Sequence, residues 1–423
     1  MKKKLELLAP AGDLKRLKYA LAYGADAVYL GLPDFSLRAK TDFSLADLAT
    51  GVKYAHARGK KVFVTINIFA HNRHLKILPA HLKALAKIRP DAIILSDPGV
   101  MQMVKKFLPQ TPVHLSTQMN TLNYEAVKFW QKQGVTRIIL GREASLADIK
   151  EIHRQAPKME LEVFVQGAMC LSYSGRCYLS AWFNERSANL GECTQSCRWK
   201  YRVYLEEPLR PGVMLPVETN DCGTYIMNSK DLCLIEYLAD LARAGVSSCK
   251  IEGRTKSVYY VSVATKACRQ AIDRIGKTGH APSLQALKEE LAKIDNRGYT
   301  TGFLLGKEND TRQNIQSSKA KSDWQIVGEV IESRKSIKSK VHKVKGKKIF
   351  ETGVYFRAHN TLLTKKLVEI ITPKDRYAIK IKDLQSSRGE KITEAHGGTK
   401  EIFHFNLTGD YDILETGLIR QKI

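Results

Sequence analysis

Residues Glu162–Ser180 read "EVFVQGAMCLSYSGRCYLS", and they begin as a buried strand before that pattern stops at Gly167. Cys170 and Cys177 follow directly, seven residues apart, with Gly175 between them. Glycine lets a backbone bend closely because it has no side chain. The segment therefore predicts a strand that ends in a tight bend and then presents two thiols.

This strand is the seventh in a regular alternation of strand-like and helix-like segments over residues 1–306. The eight strand-like segments read "LELLAPAG", "ADAVYLG", "KKVFVTINI", "PDAIILSD", "PVHLSTQM", "TRIILGRE", "ELEVFVQG" and "SSCKIEGR". Eight strand–helix pairs in order are typical of a (β/α)8, TIM-like barrel. A doubly wound sheet is the alternative, because periodicity does not report closure.

The connection after the seventh strand, about residues 167–228, shows no comparable helix pattern. A loop this long inside a compact domain is usually functional. It leaves the carboxyl end of its strand, the rim where barrel active sites lie. It carries Cys170, Cys177, Cys193, Cys197 and Cys222.

After a linker at residues 307–321, residues 322–423 alternate and are rich in Val and Ile, which predicts a small C-terminal β-barrel-like domain. From Arg334 to Lys348 there are eight Lys or Arg and no acid. Such a run is either the solvated face of a hairpin or a contact with an RNA backbone. In the second interpretation the RNA-binding residues are Lys343, Lys345, Lys347 and Lys348.

The whole chain of 423 residues has a net charge of +25, which favours a polyanionic partner such as nucleic acid over a purely solubilising role. The lysines at the N-terminus resemble the start of a signal peptide, but the apolar run stops at Pro10. No segment reaches the ~18 apolar residues of a membrane span. We therefore expect a cytoplasmic protein, in which eight cysteines indicate metal or redox chemistry rather than disulfides.

Four cysteines follow the spacing Cys170-x6-Cys177-x15-Cys193-x3-Cys197. Cys233 is expected to open the seventh helix and to face the same rim. Thiolates suit zinc or an iron–sulfur cluster, and the spacing matches neither the common zinc fingers nor the ferredoxins. Zinc, iron–sulfur and inert buried thiols all remain open on spacing alone.

Polar residues collect where the predicted strands end, and in a barrel they would share one mouth. The candidate catalytic residues are Asn67, Asp97, Ser116, Gln118, Glu143 and Glu252. The candidate substrate-binding residues are Arg38, Arg142, Lys250 and Arg254. Arginines suit a carboxylate ligand because guanidinium binds it as a fork, whereas helix caps and rim salt bridges are the structural alternative.

The segment at Glu162–Ser180 resembles the signature of the collagenase-like peptidase family. Further matches are "LLAPAG", "CTQSCRWKY", "GTYIMNSKDLCLI", "KIEGRTKS" and "NRGYTTGF". The resemblance covers the whole chain, and within the family the chain looks most like the branch that hydroxylates tRNA.

The resemblance implies a function that the residues alone do not. Members of this branch form 5-hydroxyuridine at the anticodon wobble position of tRNA, and they depend on prephenate, a dicarboxylate, instead of molecular oxygen. Several family members hold a 4Fe-4S cluster on four cysteines. By position, Cys170, Cys177 and Cys193 would be ligands, with Cys233 as the fourth and Cys197 as its alternative. Gln166 stands where many relatives carry His, which argues against a proton-transferring imidazole there.

Three other functions stay in view. The family name allows a metal-dependent peptidase, but no Ser-His-Asp, His-Glu-x-x-His or GxGxxG pattern stands out. Related proteins hydroxylate ribosomal RNA or ubiquinone precursors. A non-catalytic RNA-binding or cluster-delivery protein would not need the polar residues at the strand ends.

The basic run generates a first prediction. Changing Lys343, Lys345, Lys347 and Lys348 together to Ala should flatten the salt dependence of tRNA binding, because each lost phosphate contact lowers the log–log slope by roughly 0.9. Binding measured over a series of salt concentrations checks this. An unchanged slope would assign these lysines to solubility.

Overall fold

The computed structural model of the chain describes residues 5–37, 43–170, 172–173, 176–177, 179–199, 201, 203–206, 208–209, 211–212, 214–217, 229–278, 284–306, 322–337, 350–409, 411–413 and 415–423. The chain divides into two compact units. The first comprises Met1–Lys288 and Asp295–Lys321, and the second comprises Glu289–Ile294 and Ser322–Ile423.

Within the described residues, eight parallel strands form a closed barrel in the first unit. They are β1 (Glu6–Pro10), β2 (Ala27–Gly31), β3 (Lys61–Ile66), β4 (Ala92–Leu95), β5 (Val113–Leu115), β6 (Arg137–Ile139), β7 (Glu160–Ala168) and β11 (Val246–Ile251). Strand β11 closes the ring because it pairs with β1 on one side and with β7 on the other. The predicted TIM-like barrel is confirmed, and the open doubly wound sheet is excluded.

Helices follow the strands in the expected order. They are α1 (Leu14–Ala22), α2 (Leu45–His56), α3 (Asn72–Ile88), α4 (Pro98–Phe107), α5 (Tyr124–Lys132), α6 (Leu146–Gln155), α8 (Leu238–Arg243) and α9 (Val258–Thr278). Several begin at a side-chain cap: Ser44 and Ser145 each form a reciprocal capping box with an aspartate three residues later. Among the helices of the described segments, none has the length and hydropathy to cross a membrane.

The seventh βα connection departs from the prediction. Its described part holds α7 (Leu179–Asn184), turns at Ala188–Leu190 and Ser196–Arg198, and a hairpin of β8 (Val203–Glu206) with β9 (Met214–Val217). The segment expected to open the seventh helix instead forms β10 (Asp231–Cys233), which runs antiparallel to the end of β7. A strand such as β7 that extends past its barrel neighbours has unpaired backbone N–H and C=O groups, and β10 pairs with these groups of β7.

The second unit is an antiparallel sheet, as predicted. Eight of its described strands pair side by side in the order Arg376–Ile379, Val368–Ile371, Leu418–Lys422, Trp324–Ile337, Phe350–Ala358, Ile402–Thr408, Leu384–Gln385 and Lys391–Ile392. Inward side chains such as Val354, Phe356 and Phe405 form its core, and alternate residues such as Tyr355 face outward. The four lysines of the basic run lie outside the described residues, so their predicted RNA contact stays a prediction.

The remaining bounds complete the element order. After α9 come α10 (Gln285–Ala292) and β12 (Tyr299–Thr300), which pairs with β10. The second unit contains β13 (Trp324–Ile337), β14 (Phe350–Ala358), β15 (Leu362–Leu363), β16 (Val368–Ile371), β17 (Arg376–Ile379), β18 (Leu384–Gln385), β19 (Lys391–Ile392), β20 (Glu394–Ala395), β21 (Ile402–Thr408) and β22 (Leu418–Lys422).

Charged side chains, not only apolar ones, fill part of the barrel interior. Glu162 on β7 is fully buried and contacts Lys250 Nζ at 2.9 Å and Arg137 Nη1 at 3.0 Å. Arg137 also binds Glu6 and Glu160. Burial alone would raise the pKa of Glu162, but Lys250 and Arg137 hold it below its ordinary value. The carboxylate therefore stays ionised and links three strands.

This network generates a stability prediction. Glu162→Gln should lower the free energy of unfolding by about 3–5 kcal/mol, because buried Lys250 loses its ion-pair partner and Arg137 loses one of its three carboxylate partners. Since the folded-state pKa of Glu162 is depressed, the difference between wild type and variant should shrink as pH falls below the ordinary value of 4.5. Equilibrium urea unfolding at several pH values measures both effects.

Glu125→Gln is the matched control, because its pair with Lys128 is exposed. Its loss should cost at most about 1 kcal/mol. Equal effects of the two substitutions would contradict a structural role for the barrel network.

Candidate active site

A cavity of about 720 Å³ opens at the carboxyl ends of the barrel strands. Most of the predicted strand-end residues line it, and they come from β3, β5, β6 and β11 or from the turns that follow these strands. They are Asn67, Ser116, Gln118, Arg142, Lys250, Glu252 and Arg254. The geometry thus brings together residues that are far apart in sequence, as expected for the working end of a TIM barrel.

Three polar side chains form a buried amide network on one wall. The Nδ2 of Asn67 donates to Oε1 of Gln118 at 2.8 Å, and the Ser116 hydroxyl donates to the same oxygen at 3.1 Å. The backbone N–H of Leu37 donates to Oδ1 of Asn67 at 3.4 Å. Asn67 and Gln118 are therefore held in one orientation each.

Cations surround two aromatic rings on the cavity floor. The Arg142 guanidinium lies 3.9 Å from the centre of the Phe164 ring, and Lys250 Nζ lies 4.3 Å from that of Tyr29. Arg254 donates to the hydroxyls of Ser36 and Thr65. Burial lowers the pKa of Lys250, and Glu162 partly offsets that effect.

Glycines make room for Arg254. A Cβ added at Gly31 on β2 would lie 2.5 Å from Nη1 of Arg254, so a larger residue there would displace the guanidinium. Gly31, the glycine of "ADAVYLG", is therefore part of the site because of its small size, although its backbone has an ordinary strand conformation.

Two of the predicted site residues do not line the described cavity. Asp97 accepts a hydrogen bond from the Val100 N–H at 2.8 Å and caps α4, where Pro98 is the first residue. Asp97 and Glu143 are not among the described residues that line the cavity. The helix-cap role explains Asp97 because a carboxylate satisfies the free N–H groups of the first turn. Arg38 lies outside the described residues.

Four free cysteines line the same cavity: Cys170, Cys177, Cys193 and Cys197. Burial raises the pKa of the Cys197 thiol, Arg198 opposes this, and the charges of the other three thiols raise it further. The four thiols therefore share one electrostatic environment. Cys222 lies outside the described residues.

Cys233, the expected fourth ligand, occupies a different environment. It lies on β10 opposite Gln166 and is not among the described residues that line the cavity. Burial raises its pKa to about 11, and its charge is felt by Cys268 on α9. Cys197 shares the cavity with Cys170, Cys177 and Cys193, whereas Cys233 does not line its described part, and both assignments of the fourth ligand stay predictions.

The cysteine segment is held by side chains that the sequence analysis missed. Asn189 accepts from the Cys177 N–H at 3.2 Å and donates to the Cys177 carbonyl at 3.1 Å. Arg176 Nε donates to the Gln118 carbonyl at 3.2 Å, and Arg198 donates to the Met169 carbonyl at 3.1 Å. Each arginine is next to a cysteine in sequence, and this adjacency is the signal that could have identified both arginines.

Four free thiols on one cavity are a donor set that suits zinc or an iron–sulfur cluster. Among the described residues, no three His, Cys, Asp or Glu side chains come close enough to share one metal ion. Cys170, Cys177, Cys193 and Cys197 are the residues available for such a cluster.

The charge of the cavity is strongly positive. Its described lining contains Arg142, Arg186, Arg198, Lys250, Arg254, Lys256 and Arg297, against the two carboxylates Glu192 and Glu252. No histidine is among these lining residues. The site is suited to an anionic ligand, and its described part lacks the imidazole of a Ser-His-Asp hydrolase.

Comparison with known proteins adds the family. A family model described as peptidase family U32 matches residues 12–314. The chain belongs to peptidase family U32. The tRNA hydroxylation protein P of Escherichia coli (strain K12) is 40% identical, and the match covers 93% of this chain and 92% of that protein.

Two further relatives belong to the comparison. The tRNA hydroxylation protein P of Haemophilus influenzae is 36% identical, and the match covers 99% of this chain and 97% of that protein. The 23S rRNA 5-hydroxycytidine C2501 synthase of Escherichia coli (strain K12) is also 36% identical, over 73% of this chain and 46% of that protein. These relatives are thus named for hydroxylation of different RNAs.

The placement of the cysteines generates a prediction. Anaerobically purified protein should be brown, with about four irons per chain. Cys197→Ala should remove most of the iron and colour, as should Cys170→Ala or Cys177→Ala, because each removes a thiolate from the cavity.

Cys233→Ala is the matched control and should keep both iron and colour. Iron analysis and visible absorption are the measurements. Retention of the cluster in Cys197→Ala, with its loss in Cys233→Ala, would reverse the assignment of the fourth ligand. Stoichiometric zinc without iron would contradict the cluster itself.

Proposed function

We propose that this protein hydroxylates tRNA and forms 5-hydroxyuridine at the anticodon wobble position. The observation that carries the proposal is one cavity in which four free thiols face a floor of cations and aromatic rings. The nearly full-length similarity to proteins named for tRNA hydroxylation supports the same function. The net charge of +25 suits a polyanionic substrate.

We propose prephenate, a dicarboxylate, as the hydroxyl donor in place of molecular oxygen. Arg142 and Arg254 line the cavity and can each bind a carboxylate as a fork. Without a further oxidant, the exchange balances only if the C5–H of the base becomes C5–OH while the C–OH of the donor becomes C–H. Both substrates must then occupy the cavity together.

A 4Fe-4S cluster on Cys170, Cys177, Cys193 and Cys197 is the proposed cofactor, and when bound it would supply one-electron chemistry at the cavity wall. The protein's own side chains orient the donor, exclude water and accept the proton. The arginines orient the donor and screen its charge, and the barrel walls exclude water. Glu252, a carboxylate on the cavity lining, is the proposed acceptor for the proton that leaves C5.

The surface beside the cysteine segment suits single-stranded RNA. Trp182 is 73% exposed, and Phe183 and Trp199 are also exposed. Phe183 and Trp199 lie 6.1 Å apart between ring centres, and Arg198 next to them lines the cavity. Exposed aromatic rings with nearby arginines are how proteins hold the unpaired bases of RNA loops.

The donor site generates the prediction that tests this function. In a strain lacking its own tRNA hydroxylation, the wild-type protein should restore 5-hydroxyuridine. Arg142→Lys and Arg254→Lys should each reduce it at least about tenfold, because an ammonium cannot make the forked contact. Mass spectrometry of tRNA nucleosides measures the product.

Arg243→Lys is the matched control, since Arg243 lies on the surface of α8 and pairs only locally with Asp240 in the described structure. It should leave the product unchanged. All three variants should keep the iron content of the wild type. Failure of the wild type to restore the nucleoside would refute the proposed function, and near-normal product in an arginine variant would remove that arginine from the donor site.

A further inference from the structure

The amide of Gln118 has a fixed orientation. Because the Leu37 N–H donates to Oδ1 of Asn67, the Nδ2 of Asn67 is the group that faces Gln118. That nitrogen and the Ser116 hydroxyl both donate to Oε1 of Gln118. Because Oε1 accepts both hydrogen bonds, the other terminal atom of the Gln118 amide must be the nitrogen, Nε2.

This nitrogen has no internal acceptor. Gln118 is 1% exposed, and its Nε2 has no hydrogen-bond partner among the described residues. A buried donor without an acceptor is destabilising, so such atoms are rare unless a ligand satisfies them. Gln118 lines the barrel cavity, so we take a ligand bound in that cavity as the source of an acceptor for Nε2.

The backbone of Gln118 is anchored as well. Its carbonyl accepts from Arg176 Nε at 3.2 Å, and its N–H faces the Ser116 oxygen. The side chain therefore cannot turn away from the cavity without breaking contacts on both sides of the amide. Arg176 adjoins Cys177, so this anchor also ties Gln118 to the cysteine segment.

We propose that Nε2 of Gln118 donates a hydrogen bond to the C4 carbonyl oxygen of the target uracil and so selects uracil over cytosine. The inference rests on the proposed function. The base is attached to RNA through N1, so the opposite edge, which carries C4 and the reacting C5, enters the barrel first. The C2 carbonyl stays on the sugar side, toward the mouth.

The selectivity follows from the chemistry of position 4. Uracil presents an acceptor there, whereas cytosine presents an amino donor. With cytosine bound, its amino group and Nε2 of Gln118 would be two donors facing each other in a buried site. A buried site with an unpaired donor discriminates strongly against such a base. A family member named for 5-hydroxycytidine formation shows that the fold alone does not set the base, so individual side chains must.

Two variants test the contact. Gln118→Met removes the donor at similar size, and Gln118→Glu replaces it by an acceptor. The substrates are two anticodon stem-loop RNAs that differ only by uridine or cytidine at the modified position. Hydroxylation rates and, separately, equilibrium binding without the donor are measured for both RNAs with the full-length protein, prepared anaerobically.

We expect the wild type to prefer the uridine RNA in both measurements. Both variants should lower the uridine-to-cytidine ratio at least tenfold, with unchanged iron content and thermal stability within a few degrees. Gln131→Glu, at an exposed position on α5, is the control and should change neither ratio.

An unchanged base ratio in both variants overturns the inference, even if rates fall. A higher KM for the dicarboxylate at constant base ratio would assign Nε2 to the donor instead. A wild type that binds the uridine RNA preferentially but never hydroxylates it would refute the proposed function and leave the binding contact supported.

Discussion

The site depends on one close backbone contact, between Gly167 at the end of β7 and Glu252 at the end of β11. Gly167 has φ +118°, and a Cβ built there would lie 2.4 Å from the Glu252 carbonyl oxygen. The Glu252 N–H donates to the Gln166 carbonyl at 2.8 Å, so the two chains are locked together. Only glycine allows this approach, and the cysteine segment starts from it.

Two further layers hold the site from below and above. Below the cavity, Glu162 keeps Lys250 and Arg137 charged inside the barrel. Above it, Asn189 and the arginines beside the cysteines fasten the segment to the strand ends. An ion network and a hydrogen-bonded loop thus enclose a cavity whose charge is unbalanced in favour of an anion. Such a preorganised positive site stabilises charge without reorganising at the moment of reaction.

Sequence periodicity was sufficient for the barrel because each strand and helix carries its own local signal. It also placed Asn67, Gln118 and Arg254 at one mouth, since strand ends meet there. Periodicity gave a wrong prediction for Cys233. Its segment has helix-like spacing but forms β10, which pairs with the exposed edge of β7, and the local sequence pattern does not report such a contact. Asp97 was assigned to catalysis although its position before Pro98 is that of a helix cap.

We propose that the thiols and the RNA base share one cavity. Electron–nuclear double resonance on the reduced protein, bound to an anticodon stem-loop deuterated at C5 of the target uridine, measures this directly. We expect a deuterium coupling to the paramagnetic cluster that is absent with the unlabelled RNA. Stoichiometric RNA binding without any deuterium coupling would contradict it.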